Sequence, residues 1–199
     1  MTRLVLASAS PRRQALLLAA GLSFEVRPSS LVEELSDDEA PVALARRLAL
    51  EKAALVHRDA DVTLGADTVV HLAGRAFGKP QDDAEARAWL AALSGVWHEV
   101  TTGFAVLGSA GASRRQQLRV GHATTKVRFR SLTSADIERY VTTGEGRDKA
   151  GAYAIQGVGG ALVDRLVGSY TNVVGIPLSS VLRALKSAGV EPDGDRRQP

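Results

Sequence analysis

The spacing of apolar positions changes several times along the chain, and each change predicts a new element of secondary structure. Short, continuously apolar or alternating runs predict strands, whereas apolar positions three and four residues apart predict helices. The first pair is a strand over Arg3–Ala7 and a helix over Pro11–Ala20, with Ser10 at its N-cap and Gly21 after its end. The other predicted strands are Phe24–Arg27, Val62–Val70, Glu99–Leu107 and Gln117–Arg130, and the other predicted helices are Pro41–His57, Asp82–Leu93, Ser134–Val141 and Leu178–Ala188. A glycine-marked turn is predicted over Gly74–Pro80.

Strands and helices alternate early in this pattern, whereas two long strands follow each other in the middle of the chain. The segment "GSAGASRR" between those two strands has the composition of a hairpin tip, which predicts antiparallel pairing. The sequence therefore predicts an α/β fold, a mixed twisted sheet with flanking helices. No repeat or linker interrupts the pattern, so we expect a single domain over residues 1–189 and a disordered polar tail over residues 190–199.

Composition narrows the classes of function. The 199 residues include no cysteine, which excludes disulfide scaffolds, thiolate metal sites and cysteine nucleophiles. The first apolar stretch is too short for a signal peptide or a membrane span, so we expect a cytoplasmic protein without a membrane partner. The net charge of +3 is compatible with a polyanionic ligand, but only 5% of the residues are aromatic and none is interleaved with a basic run. This composition argues against nucleic acid as the partner.

The segment "LASASPRR" places two hydroxyl residues and two arginines at a strand-to-helix turn. Unpaired N–H groups at a helix N-terminus attract anions, and Ser8 and Ser10 add hydroxyl donors. Arg12 and Arg13 oppose the helix dipole, a cost of a few tenths of a kcal/mol or more that a bound polyanion would offset. The alternative is a capped surface helix with solvated arginines.

Two charged residues interrupt apolar patterns. Lys52 lies within the apolar stripe of the second long helix, where it either extends to solvent or points into a cleft. Asp67 interrupts an apolar strand, and a buried carboxylate needs hydrogen bonds, a cation or a metal. Gly65 would allow close backbone approach beside it, and a hairpin could return Lys79 to pair with Asp67. The alternative is that such a pair has a purely structural role.

Three further polar positions have both a functional and a structural interpretation. Glu33 could supply a carboxylate at the same sheet end, or belong to a solvated acidic loop. The amide of Gln156, between glycines, suits recognition of a base edge, although a glycine-rich turn is the simpler explanation. His98 is expected to orient a loop, because no zinc-binding spacing surrounds it.

Taken together and in order, these motifs resemble the Maf family of nucleoside triphosphate pyrophosphatases. The resemblance spans residues 4 to about 185, and each motif alone is weak whereas the ordered set is specific. The matching segments are "LASASPRRQALL", Glu33, "LALEKA", "GADTVV", "GKP", "LSGVWHEVTTG", "DKAGAYAIQG" and "YTNVVGIPL".

The resemblance implies two lobes around a deep cleft, as in inosine triphosphatase, a homodimer, and hydrolysis between the α- and β-phosphates with Mg²⁺ or Mn²⁺. It implies that Asp67 is the general base and that Glu33 and Asp67 hold the metal. The implied triphosphate-binding residues are Ser8, Arg12, Arg13, Lys52 and Lys79. Arg12, Thr68 and Gln156 match the specificity positions of the branch that prefers dTTP and UTP.

Two alternatives stay open at this point. One is a nucleotide-binding regulator of cell division and septum formation without essential catalysis, and the other is a purine-specific inosine triphosphatase. A polynucleotide binder would show steep salt dependence, and the purine enzyme would need a different base pocket.

Overall fold

The computed structural model describes residues 3–31, 39–108 and 117–193. Within these ranges, seven strands form one mixed sheet with helices packed on it, which confirms the predicted α/β architecture. The strands are β1 Arg3–Leu6, β2 Glu25–Val26, β3 Asp61–Leu72, β4 Arg75–Phe77, β5 Trp97–Leu107, β6 Leu118–Phe129 and β7 Val163–Val167. The helices are α1 Pro11–Ala19, α2 Pro41–Val56, α3 Asp83–Leu93, α4 Ser134–Thr142, α5 Tyr170–Val174 and α6 Leu178–Ser187, with 3-10 turns at Ala150–Ala152 and Gly157–Leu162.

The sheet combines a parallel part and an antiparallel part in the order β2-β1-β3-β5-β6-β7, with β4 beside β3. β1 runs parallel to both β2 and β3, whereas β3, β5, β6 and β7 are antiparallel neighbours. The predicted hairpin between the two long strands is present, because Leu107 pairs with Leu118. Its tip, residues 109–116, lies outside the described residues.

One edge of β3 is shared by two different strands, and this arrangement positions the site. β1 pairs with β3 only as far as Leu64, after which the chain turns into α1. β4 pairs with the same edge only from Val70 onwards. Residues 65–69 therefore face a gap between β1 and β4, and Asp67 and Thr68 lie in this gap.

Apolar side chains form two main clusters, one toward each end of the long strands. The first cluster includes Val100 and Phe129 and packs against α3 and α4. The second includes Leu64 and Phe104 and packs against α1 and α6. The predicted division into two lobes around a deep cleft stays a prediction.

α2 packs on the face of the sheet opposite the two apolar clusters, and its backbone lies unusually close to the strands. A Cβ atom placed on Gly65 would come within 2.1 Å of the Ala49 carbonyl oxygen, and one on Gly103 within 2.2 Å of the Ala45 carbonyl oxygen. Gly103 pairs with Asp67 across β3 and β5, so the side chains at these two positions share one face of the sheet. Only glycine leaves room for the helix backbone beside Asp67, as the sequence predicted for Gly65.

Several boundaries differ from those predicted. β3 and β5 extend beyond their apolar runs because both pair over most of their length, and β4 occupies part of a segment predicted as a turn. Ser10 is the N-cap of α1, but its side chain makes no capping hydrogen bond. Residues 190–193 lie against the fold, since Val190 packs in the second cluster and Asp193 donates its N–H to the Gly21 carbonyl.

Within the described residues, no helix is both long enough and apolar enough to cross a membrane.

Candidate active site

A cavity of about 540 Å³ opens at the gap in the sheet edge. It lies among the turn before α1, the middle of β3, the segment after β4 and the 3-10 region. Eight side chains predicted from the sequence line this one cavity: Ser8, Arg12, Arg13, Lys52, Asp67, Thr68, Lys79 and Gln156. Glu33 lies outside the described residues.

Lys52 and Asp67 form a buried ion pair at the floor of the cavity. Lys52 donates from Nζ to Asp67 Oδ1 at 2.5 Å, and each residue is less than a tenth exposed. The close approach of α2 to the sheet makes this contact possible. The alternative in which Lys52 extends to solvent is therefore wrong. The predicted partner of Asp67 is also corrected, because Lys79 is exposed at the rim of the cavity and makes no ion pair among the residues described.

Arg13 connects three separate parts of the cavity wall. Its guanidinium donates to Ser8 Oγ at 3.0 Å, to Thr68 Oγ1 at 3.2 Å and to the Gly175 carbonyl at 3.0 Å. Gly175 is the C-cap of α5, where unpaired carbonyls favour a cation. These bonds stabilise the charge that Arg13 places at the start of α1. Contacts within the fold therefore explain part of the positive charge in "LASASPRR".

Arg12 differs from its neighbour because it makes no hydrogen bond or ion pair with the described part of the chain. Partial burial lowers the pKa of Arg12, although the nearby Asp148 acts in the opposite direction. Its guanidinium is therefore partly desolvated and has its donors available for an anionic ligand.

A buried chain of polar side chains continues from Thr68 into the sheet. Thr68 Oγ1 lies 3.0 Å from Thr102 Oγ1, and Thr102 contacts Asn172 through both its N–H and its hydroxyl. Asn172 also donates to the Val100 carbonyl and to Thr125 Oγ1, each at 2.9 Å. Thr102, Thr125 and Asn172 have no exposed surface. The matching motif "YTNVVGIPL" thus contributes Asn172 as a support behind the cavity wall.

The wall that carries Gln156 is held from behind by hydrogen bonds. Tyr140 accepts from the Ala154 N–H through its hydroxyl at 3.0 Å, and Glu145 accepts from the N–H groups of Val158 and Gly159. Burial raises the pKa of Tyr140, and the nearby Glu145 carboxylate adds to this increase. The backbone on both sides of Gln156 is therefore fixed by side chains outside the cavity.

His98 supports the same wall. It lies in β5, and its Nε2 is 2.8 Å from the hydroxyl of Tyr153, a residue that lines the cavity. Phe129 packs edge-on against both rings. This contact agrees with the prediction that His98 orients a loop, because Tyr153 lies in the loop between the two 3-10 turns. Pairing across β5 and β6 buries the His98 ring beside side chains of the first apolar cluster.

Sequence reasoning missed two charged residues of the cavity. Asp148 and Lys149 form an ion pair with each other and line the wall beside Gln156. Both belong to "DKAGAYAIQG", the segment in which Gln156 alone was predicted to have a functional role, so the signal for them lies in the same motif. With them, the described lining contains five cationic side chains and two carboxylates, an excess that suits a polyanion.

The residues present are compatible with a divalent cation bound together with a substrate. Among the residues described, no three histidine, aspartate or glutamate side chains cluster as a preformed metal cage. Mg²⁺ in phosphate-transfer sites is commonly held by one or two carboxylates and by the phosphates themselves. Asp67 supplies one carboxylate to the cavity, and the second predicted ligand, Glu33, lies in the segment that is not described.

Comparison with known proteins places the chain among close relatives. The family model described as "Maf-like protein" matches residues 3–188. The chain is 48% identical over 189 residues to the dTTP/UTP pyrophosphatase of Geobacter sulfurreducens, covering 94% of this chain and 97% of that protein. It is 49% identical over 187 residues to the dTTP/UTP pyrophosphatase of an Anaeromyxobacter species, covering 94% and 90%. A third relative, the dTTP/UTP pyrophosphatase of Desulforamulus reducens, is 46% identical over 193 residues, covering 96% and 99%.

Proposed function

The chain belongs to the Maf family, and from this premise we propose that it hydrolyses dTTP and UTP to the nucleoside monophosphate and pyrophosphate. Modified pyrimidine triphosphates are included in the proposed substrate class. The names of the three relatives support this substrate class.

The observation that carries the proposal is the convergence of distant residues on one cavity. Arg12, Lys52, Lys79 and Asp67 come from four different elements or turns, yet all line the same space. Phosphoryl transfer requires mainly positioning and neutralisation of charge, since the protein forms few covalent bonds in it. A cationic cavity with one well-placed carboxylate has both properties.

In the proposed mechanism, Asp67 orients a water molecule and accepts its proton as the water oxygen attacks the α-phosphorus. The bond from the α-phosphorus to the bridging oxygen breaks, and pyrophosphate leaves. Lys52 fixes the orientation of the Asp67 carboxylate through Oδ1. Arg12 and Lys79 neutralise the departing phosphates, while Arg13 holds Ser8 and Thr68 in place and adds positive charge.

The proposed cofactor is Mg²⁺ or Mn²⁺, held by Asp67 and Glu33 together with the phosphates. Such a cation, when bound, supplies further neutralisation of phosphate charge and increases the acidity of bound water.

The Asp67→Asn variant tests the assigned base. Asparagine is nearly the same size but cannot accept the proton from water, so we expect release of pyrophosphate from UTP to fall by about 1,000-fold or more. Glu138→Gln is the matched control, because it neutralises a carboxylate that pairs with Arg87 on the exposed surface. Circular dichroism checks that both variants fold, and an Asp67→Asn enzyme with full activity would remove Asp67 from the mechanism.

A homodimer and a cytoplasmic location are also proposed. An uncovered part of the sheet supports the dimer, since Trp97 and Val167 are 39% and 61% exposed there. Sedimentation analysis tests the dimer, and cell fractionation tests the location.

A further inference from the structure

The hydrogen bonds behind the cavity fix the direction of one hydroxyl group. Thr102 Oγ1 lies 2.8 Å from the backbone carbonyl oxygen of Asn172. A carbonyl can only accept, so Thr102 must donate, and a hydroxyl has a single hydrogen. The hydrogen of Thr102 is therefore committed to Asn172, and both groups are fully buried.

The direction of this hydrogen bond also determines the direction of the bond between Thr68 and Thr102. Thr68 Oγ1 lies 3.0 Å from Thr102 Oγ1, and because Thr102 has no second hydrogen, Thr68 must donate in that bond. The guanidinium of Arg13, which has donors only, gives a hydrogen bond to Thr68 Oγ1 at 3.2 Å. The hydrogen and one lone pair of Thr68 are thus used, and one lone pair is left for a ligand in the cavity.

We propose that Thr68 presents only a hydrogen-bond acceptor to the cavity, and that Thr102 is a positioning residue through which the site selects uracil and thymine over cytosine. The proposal rests on the proposed function, whose substrate class it explains. Phosphate oxygens are acceptors and cannot bond to this lone pair. The N3 atom of uracil or thymine carries a hydrogen that can be donated to it, whereas N3 of cytosine carries a lone pair that would face it.

The test measures binding rather than turnover, so that it does not depend on catalysis. The probes are the α,β-methylene analogues of UTP and CTP, which cannot be cleaved between the α- and β-phosphates, and titration calorimetry gives their Kd values. For the unaltered protein we expect the UTP analogue to bind about 10- to 100-fold more tightly, the range for one unsatisfied buried polar group.

Thr102→Val removes the acceptor that holds the hydrogen of Thr68. Thr68 can then rotate to donate to cytosine N3 and can still accept from uracil N3. We expect the Kd for the CTP analogue to fall about 10-fold, with less than about a 3-fold change for the UTP analogue. A merely structural role for Thr102 would instead weaken the binding of both analogues equally.

Two controls isolate this effect. Thr125→Val removes a buried hydroxyl that contacts Asn172 and Ser169 but not Thr68, so the ratio of the two Kd values should stay unchanged. Thr102→Ser keeps the hydroxyl and should restore the ratio of the unaltered protein.

If Thr102→Val does not fold, Thr68→Val provides the second measurement. Valine lacks the lone pair, so the UTP analogue should lose about 10-fold in affinity while the CTP analogue loses less. An unchanged ratio in Thr102→Val or in Thr68→Val overturns the proposal, as does equal binding of both analogues by the unaltered protein. Selective binding without release of pyrophosphate from UTP or dTTP would refute the proposed function and leave this inference standing.

Discussion

The contact between α2 and the sheet provides a sharp test of how packing places the proposed base. In Gly65→Ala, the new methyl group would lie 2.1 Å from the Ala49 carbonyl oxygen and 2.8 Å from the Ala53 nitrogen, both of them backbone atoms of α2. No side-chain rotation can relieve this overlap. The helix would have to withdraw by about 1 Å, and such overpacking costs about 1–3 kcal/mol of stability.

The same displacement would act on the site. Lys52 is carried by α2 and bonds to Asp67 at 2.5 Å, so withdrawal of the helix stretches this bond beyond hydrogen-bond length. Misplacement of a catalytic group by about 1 Å can lower the rate about 100-fold. We therefore expect kcat for UTP in Gly65→Ala to fall about 100-fold, with a decrease in stability measured by urea unfolding.

Val106→Ala is the matched control for lost stability. Val106 is buried in the cluster formed with α1 and α6, on the face of the sheet opposite α2. Loss of its two methyl groups should cost about 2 kcal/mol and leave kcat within about 3-fold of the unaltered protein. If Gly65→Ala keeps full kcat, or if both variants lose activity in proportion to stability, the reasoning about helix placement is refuted.

Two further predictions concern stability. Burial lowers the pKa of His98 from 6.5 to about 4, so the folded state excludes a proton that the unfolded state binds; the free energy of unfolding should fall by about 3 kcal/mol as the pH decreases from 6.5 to 4. Urea unfolding at several pH values measures how the free energy of unfolding depends on pH. This dependence should be weaker in His98→Gln, and an equal dependence in the two proteins would show that His98 does not cause it. Asp61 is fully buried and accepts hydrogen bonds from Arg3 and Arg27, which hold its pKa below the usual value although burial acts to raise it. Its stabilising effect is present above about pH 4 and is lost as the pH falls through its folded-state pKa. At pH 7, Asp61→Ala should lower the free energy of unfolding by about 3 kcal/mol. This is the lower end of the range for a broken buried ion pair, because Arg3 is half-exposed. A decrease below about 1 kcal/mol in thermal unfolding would show that the ion pairs of Asp61 with the two arginines contribute little to stability.

Local pattern was sufficient for much of the fold. Periodicity and caps predicted the places of α1, α2, α3, α4 and α6, because each depends on neighbours three or four residues away. β4 was predicted as a turn because three residues carry too little pattern, and its strand conformation depends on pairing with β3. The buried position of His98 was missed for the same reason, since it depends on partners from β6 and from the 3-10 region.

The sequence by itself determined which chemical groups this protein has available: two arginines at a helix start, a lysine in an apolar stripe, and a carboxylate in an apolar strand. These are properties of residue type and of short spacing along the chain, and both can be read directly from the sequence. Only the tertiary structure decided the partners, joining Lys52 to Asp67 and ordering Arg13, Thr68, Thr102 and Asn172 into one directed chain of hydrogen bonds. Partners separated by 15 to 70 residues meet only through sheet register and helix packing, and hydrogen-bond direction follows from where each polar atom finally lies.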